Sequence, residues 1–313
     1  MRWARIDSSD QTTGSYERLP SAIFLDCMIR FRQGFLGPLA DSARQGYPRL
    51  ENTFLRALLI CATCVCGAVG VCGQLRPRVV HVFVALADNV HQGIVPVPAA
   101  LGNGDDPGRN LYWGAAYGVR TYFRKSAEWK EIAVVQNPSA VVLQRVVFYD
   151  ASHNVYLVAD AYQGREIKEA IVDFFQAAAG LNEEKAIHVK GANRKELEIS
   201  SQPDLTVYVG HDGLMDFAIE RKFQGKAGGE RQAIVLACAS KAYFGPSLRA
   251  TGAKPILWTM GLMAPEAYTL KDAVDGWMVG ETADQIRERA ARAYSKYQKI
   301  SMNAALRLFS PGW

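Results

Sequence analysis

The chain of 313 residues is 49% hydrophobic and 21% charged, which supplies enough apolar material for one large core or two small ones and excludes a disordered chain. Its formal charge is +5, but the first 73 residues carry eight Lys and Arg against six Asp and Glu, leaving 28 against 25 in the remainder. So even a balance argues against a nucleic-acid partner held by phosphate neutralisation.

Residues 1–53 read as a polar, weakly structured N-terminal extension, with Met28 as an internal alternative start. The stretch "LRALLICATCVCGAVGVCG" (55–73) follows, uncharged after Arg56 and ending against the charged, Pro-containing "QLRPRVV". That pattern predicts a signal peptide or membrane anchor over 54–73, with Val71 and Gly73 ahead of a cleavage site before Gln74. Export to the periplasm, the extracellular space or the membrane surface is expected, and any membrane contact would run through this segment alone. Cys61, Cys64, Cys66 and Cys72 lie in it without polar neighbours to orient thiolate ligands, so a zinc site is not expected. With Cys27 and these four set aside, Cys238 is the one remaining thiol.

From Val79 onward, apolar β-branched runs alternate with stretches of helical period, which predicts one α/β domain over 74–313 with a mainly parallel sheet. Strands are expected at 79–87, 140–149, 155–160, 205–210, 233–238 and 255–259. Most are apolar on both faces, as strands in the middle of a helix-covered sheet are. Helices are expected at 110–128, 164–179 and 282–308, the last opening on Thr282 with Ile286, Ala290, Ala293, Tyr294 and Tyr297 along one face. The 22 residues of "DNVHQGIVPVPAALGNGDDPGR" (88–109) form an unusually long connection of the sort that lines a site. Asn103, Asp105 and Asp106 in it offer oxygen ligands to a structural calcium ion, with a solvated turn as the alternative, and no other cofactor is expected.

Two strands stop abruptly on reactive side chains: "LTVYVGHDG" (205–213) delivers His211 and "AIVLACAS" (233–240) delivers Cys238. In a parallel sheet the carboxyl ends of the strands share one edge, so neighbouring strands would bring a thiol and an imidazole to one crevice. Such a pair is a nucleophile and its base, with the amides of Gly213 and Cys238 as candidate oxyanion donors.

An apolar block ending in His-Gly, a spacer, and a second block ending in Ala-Cys resembles the caspase-like, or clan CD, cysteine peptidases, which include gingipains, legumains and CHAT domains. "LRATGAKPILWT" resembles the helix end, turn and strand that follow the Cys in CHAT and gingipain-like domains. The resemblance implies a caspase-like three-layer sandwich, a secreted cysteine endopeptidase with a His211/Cys238 dyad, and a protein or peptide substrate. One departure stands out, since Asp212 separates His211 from Gly213. Asp212 then becomes a candidate substrate-binding acid, and by the same resemblance Asp88 and Asn89 line a pocket, giving an expected preference for cleavage after Arg or Lys. Trp258 and Met260, in the aromatic and Met-rich "WTMGLMAPEAYTL" (258–270), are candidate apolar walls for the substrate, with core packing as the alternative.

Two other readings compete. A member of the same fold without activity would bind peptides and leave them intact. "PDLTVYVGHDGLMDFAIERK" also resembles the PD-(D/E)xK nucleases, with Asp204 and Glu220 holding a divalent metal and Lys222 near the attacking water. That chemistry requires "FAIERK" to be a strand beside 205–210.

Overall fold

The computed structural model describes residues 76–183, 186–190 and 196–313. The predicted extension, the signal or anchor segment and five of the six cysteines lie outside these residues. Among the described residues no helix is long and apolar enough to cross a membrane.

The fold is built on an eight-stranded sheet. Its strands are β1 (Arg78–Ala85), β2 (Lys130–Gln136), β3 (Val142–Asp150), β4 (Val155–Tyr162), β7 (Leu205–Val209), β8 (Gln232–Leu236), β9 (Lys254–Thr259) and β10 (Phe309–Ser310), while β5 (Ile187–Lys190) and β6 (Glu196–Ile199) form a separate hairpin. The order across the sheet is β10-β9-β8-β7-β1-β4-β3-β2. The five central strands from β9 to β4 run parallel, and β2, β3 and β10 are antiparallel to their neighbours. The chain is thus α/β with a mixed, mostly parallel sheet.

The apolar runs read from the sequence explain this arrangement. In β1, Val80, Val82 and Val84 point to one face, while Phe83 and Ala85 point to the other. The first face is covered by α1 (Val119–Arg124), α4 (Ala267–Met278) and α5 (Ala283–Gln298); the second by α2 (Ile167–Ala178) and α3 (Ser240–Thr251). The result is three layers, helices on both sides of a sheet, each needing the sheet to bury its own apolar stripe. The β5–β6 hairpin lays Val189 and Ile199 on Val79, Val147 and Val158. Edge strand β2 buries only Ala133 and carries Lys130 and Glu131, which discourages further strand addition.

Two helix expectations change. The stretch expected as a helix over 110–128 is helical only at Val119–Arg124. Ahead of it, Asn110 O accepts from the amides of Trp113, Gly114 and Ala115, and the side chain of the fully buried Asn110 clamps Ala87 through both its N–H and its C=O, so the segment winds as turns against the end of β1. The helix expected over 282–308 is two, α5 and α6 (Met302–Leu308), broken where Lys299 turns left-handed (φ 56°) and Ser301 caps the next helix on Ala304 N. Thr282 opens α5 as anticipated, in a reciprocal capping box with Gln285.

Connectivity places the functional edge. From β1 the chain crosses to β4 on one side, then returns over β1 to β7 on the other, so the sheet order reverses between β1 and β7. Crevices form outside the carboxyl ends of strands at such a switch point.

Candidate functional site

His211 and Cys238 meet this edge at the same level. Val209 of β7 pairs with Leu236 of β8, and each of the two candidate side chains lies two residues beyond its member of the pair. Gly210 N–H donates to Leu236 O at 3.3 Å, extending the ladder one step further. Adjacent strands lie about 4.8 Å apart, so the strand ends from which the two residues follow are immediate neighbours.

His211 is fixed at two points. Tyr208 Oη donates to its carbonyl at 2.8 Å, and its Nε2 lies 2.6 Å from Asp216 Oδ2. A carboxylate on Nε2 sets the tautomer with the proton there and leaves Nδ1 as the lone-pair nitrogen; among the described residues Nδ1 has no partner. Asp216 was not singled out in the sequence; an acid five residues after the His was the only signal. It is half-exposed, and the loop after β1 passes over it so closely that a Cβ on Gly93 would lie 3.1 Å from its carboxylate.

Cys238 is partly buried, and burial raises its thiol pKa, with the Met263 amide opposing the rise and the nearby Asp212 carboxylate adding to it. Its Sγ accepts from Met263 N at 3.4 Å and faces Met263 O at 3.6 Å. The thiol is therefore turned to the loop after β9, and no hydrogen bond joins it to His211. The turn that carries it is unusual: Ala239 adopts the left-handed region (φ 47°, ψ 30°) between β8 and α3. That conformation costs a non-glycine residue about 1–2 kcal/mol and persists only where the surroundings impose it. Here they do. Ser240 Oγ donates to Val235 O, Thr259 N–H donates to Ser240 Oγ, Ser240 N–H donates to Thr259 Oγ1, and Thr259 Oγ1 donates to Ala237 O. Ala239 N–H donates to Gly261 O at 2.8 Å.

Asp212 is fully buried. Its Oδ1 accepts from Leu214 N at 3.0 Å and its Oδ2 has no partner. Burial raises its carboxyl to about 7, opposed by the Leu214 amide and reinforced by Asp216. The Gly213 amide, a candidate oxyanion donor, is committed to His211 O at 3.1 Å, and a Cβ at Gly213 would run into the Phe217 ring at 2.6 Å. Tyr112 is buried, and its hydroxyl pKa is raised first by burial and then by the charge of Cys238; that hydroxyl has no hydrogen-bond partner among the described residues.

The other candidates are placed as follows. Asp88 is buried and accepts from the amides of Val90 (2.8 Å) and His91 (3.1 Å) and pairs with His91 Nδ1 at 2.9 Å; burial works against its charged form, but these bonds outweigh it and its pKa is lowered. Asn89 clamps Val97 through both its N–H and C=O at 3.1 and 2.7 Å. Both residues shape the loop from inside. Asn103 caps Asp105 N, Asp105 pairs with Arg165 at 2.6 Å, and Asp106 pairs with Arg109 at 2.8 Å. No cluster of metal-ligating side chains occurs among the described residues. Trp258 is buried, with its Nε1–H on Gly312 O and its ring edge-on to Trp313, so it belongs to the core; Met260 is exposed.

The nuclease arrangement lacks its strand. Residues 216–231 have no β structure, the neighbours of β7 are β1 and β8, and Asp204 sits at the amino end of β7, held by Arg76 at 2.5 Å and Val79 N at 2.8 Å. It is on the opposite edge of the sheet from His211.

Comparison with protein-family models, with curated proteins and with solved structures finds no match to the chain.

Proposed function

We propose that this protein is a cysteine endopeptidase of the caspase-like kind, with Cys238 as nucleophile and His211 as acid and base. The observation that carries the proposal is the register: two neighbouring parallel strands end level with each other on an imidazole and on the only thiol in the described residues. Three features support it. Asp216 orients the imidazole and leaves Nδ1 free. The strand-turn-helix at Cys238 holds a left-handed alanine, the kind of local strain that sharp nucleophile turns carry. The switch point of the sheet lies beside them.

In the reaction, the thiol swings from Met263 toward His211, whose Nδ1 takes its proton. The thiolate attacks the scissile carbonyl carbon, and the negative charge moves to the carbonyl oxygen. With the Gly213 amide already used, the oxyanion draws on the Cys238 amide. The imidazolium then gives its proton to the departing amine as the C–N bond breaks, leaving a thioester. Water, deprotonated by His211, cleaves the thioester and restores the thiol. Asp216 compensates the imidazolium charge throughout.

Incubation of the full chain with an unfolded protein substrate, followed by mass analysis of new termini, tests this. Cleavage is expected to vanish in Cys238→Ala, to fall by about 10²-fold or more in His211→Ala, and to persist in a metal chelator. Undiminished cleavage by Cys238→Ala would remove the proposal.

A further inference from the structure

We infer that the dyad acts on extended polypeptide bearing bulky apolar side chains beside the scissile bond; the inference rests on the peptidase reading and names its substrate class. Two loops, one against Asp216 and one against Cys238, each present open apolar side chains. The loop after β1 reaches Asp216 at Gly93 and carries Val90 and Val95, 80% and 75% exposed. The loop after β9 touches Cys238 Sγ through Met263 and carries Met260 and Leu262, 56% and 66% exposed. Met215, beside Asp216, is 42% exposed. Single exposed apolar residues are ordinary, but here they occupy both the loop against the acid that orients His211 and the loop against the thiol.

These lips are built rather than loose. Asn89 fastens the first at Val97, two residues from Val95, and Gly261 O and Met263 fasten the second to the turn that carries Cys238. The acids expected to form a basic-residue pocket are bonded within their own loop or closed off from solvent. Asp88 is spent on the amides and ring of its own loop, and Asp212 is fully buried. Apolar contact beside the thiol and beside Asp216 is what the edge offers a substrate, and an extended peptide lying along the two loops covers it.

The experiment labels the full chain with three peptidyl acyloxymethyl ketones identical except for Leu, Arg or Asp next to the reactive group, beside Leu262→Asp and Val95→Asp. The Leu probe is expected to label Cys238 at least about tenfold faster than the other two, and each variant to slow it by about tenfold while iodoacetamide alkylates Cys238 as in wild type. Equal or faster labelling by the Arg or Asp probe, or variants that leave the Leu rate unchanged, would overturn the apolar preference and keep the peptidase. No labelling by any probe, with an iodoacetamide rate indifferent to His211→Ala, removes the peptidase reading and this inference with it.

Discussion

At the scale of single residues, the imidazole of His211 depends on Asp216, and the side chain of Asp216 is half open to water. Asp216→Asn is expected to lower turnover by at least about tenfold, short of the ~10⁴-fold loss seen where such an acid is fully buried, because solvent already screens this one. Turnover equal to wild type would mean the pair is only structural. Asp212 gives a second prediction with a definite sign. Its carboxyl is raised to about 7 in the fold, chiefly by burial, and in the unfolded chain it returns to its ordinary 3.8. Between those values the folded protein binds more protons, so this group's contribution is full below the unfolded value and is lost as pH rises through 7. Asp212→Asn, which mimics the neutral acid, should narrow the difference in urea stability between pH 5 and pH 8, with Asp216, Tyr208 and Cys238 facing the same spot unchanged. An unaltered difference would show that Asp212 ionises without cost.

At the scale of elements, the turn from β8 into α3 holds the nucleophile, and its strain is imposed by the Ser240–Thr259 pair. Thr259→Val removes bonds to Ala237 O and Ser240 and is expected to cost about 1–3 kcal/mol of stability, with a larger fall in kcat than rise in KM, since the turn slackens without touching the lips. Ala239→Gly should be tolerated, because glycine takes the left-handed region freely, whereas Ala239→Val should destabilise by more than about 1 kcal/mol. Thermal and urea unfolding check both; a neutral Ala239→Val would mean the turn relaxes. Much of this level was legible in advance. The central strands announced themselves because a strand covered on both faces is apolar at every position. The loop over 88–109 also stood out by its length, although Asp88 and Asn89 shape it from within instead of lining a pocket. What escaped had physical reasons. β5 and β6 are four residues each and half-exposed, and the part of α3 ahead of the helix end that the resemblance implied contains Gly245-Pro246, which reads as a turn. Asp216 has no periodic partner, and the backbone of Met263 is invisible to any reading of side chains.

At the scale of the molecule, the sheet is pinned across β1, β3 and β4 by an ion cluster on the face of α2. Asp160 is 1% exposed; burial pushes its pKa up, but Arg145 at 2.6 and 2.7 Å and His81 at 2.9 Å outweigh that and bring it to about 2. A lowered carboxyl contributes stability above its unfolded value and loses it as pH falls toward 2. Arg145→Met strands that charge and should cost about 3–5 kcal/mol in chemical denaturation at neutral pH; a loss under about 1 kcal/mol would show water reaching Asp160. This cluster lies along the strands, whereas the dyad lies at their carboxyl ends, so the two effects separate: Arg145→Met lowers the melting temperature and leaves the chemistry of the surviving folded fraction intact.

The most direct measurement is the rate of Cys238 alkylation by iodoacetamide across pH, in the full chain and in His211→Ala. Burial raises the thiol's own pKa, so rapid alkylation near neutral pH requires the imidazole. The account predicts a neutral-pH rate that falls by about tenfold or more in His211→Ala, with reactivity recovered only at alkaline pH. Superimposable profiles, both those of an ordinary buried thiol, would contradict the dyad.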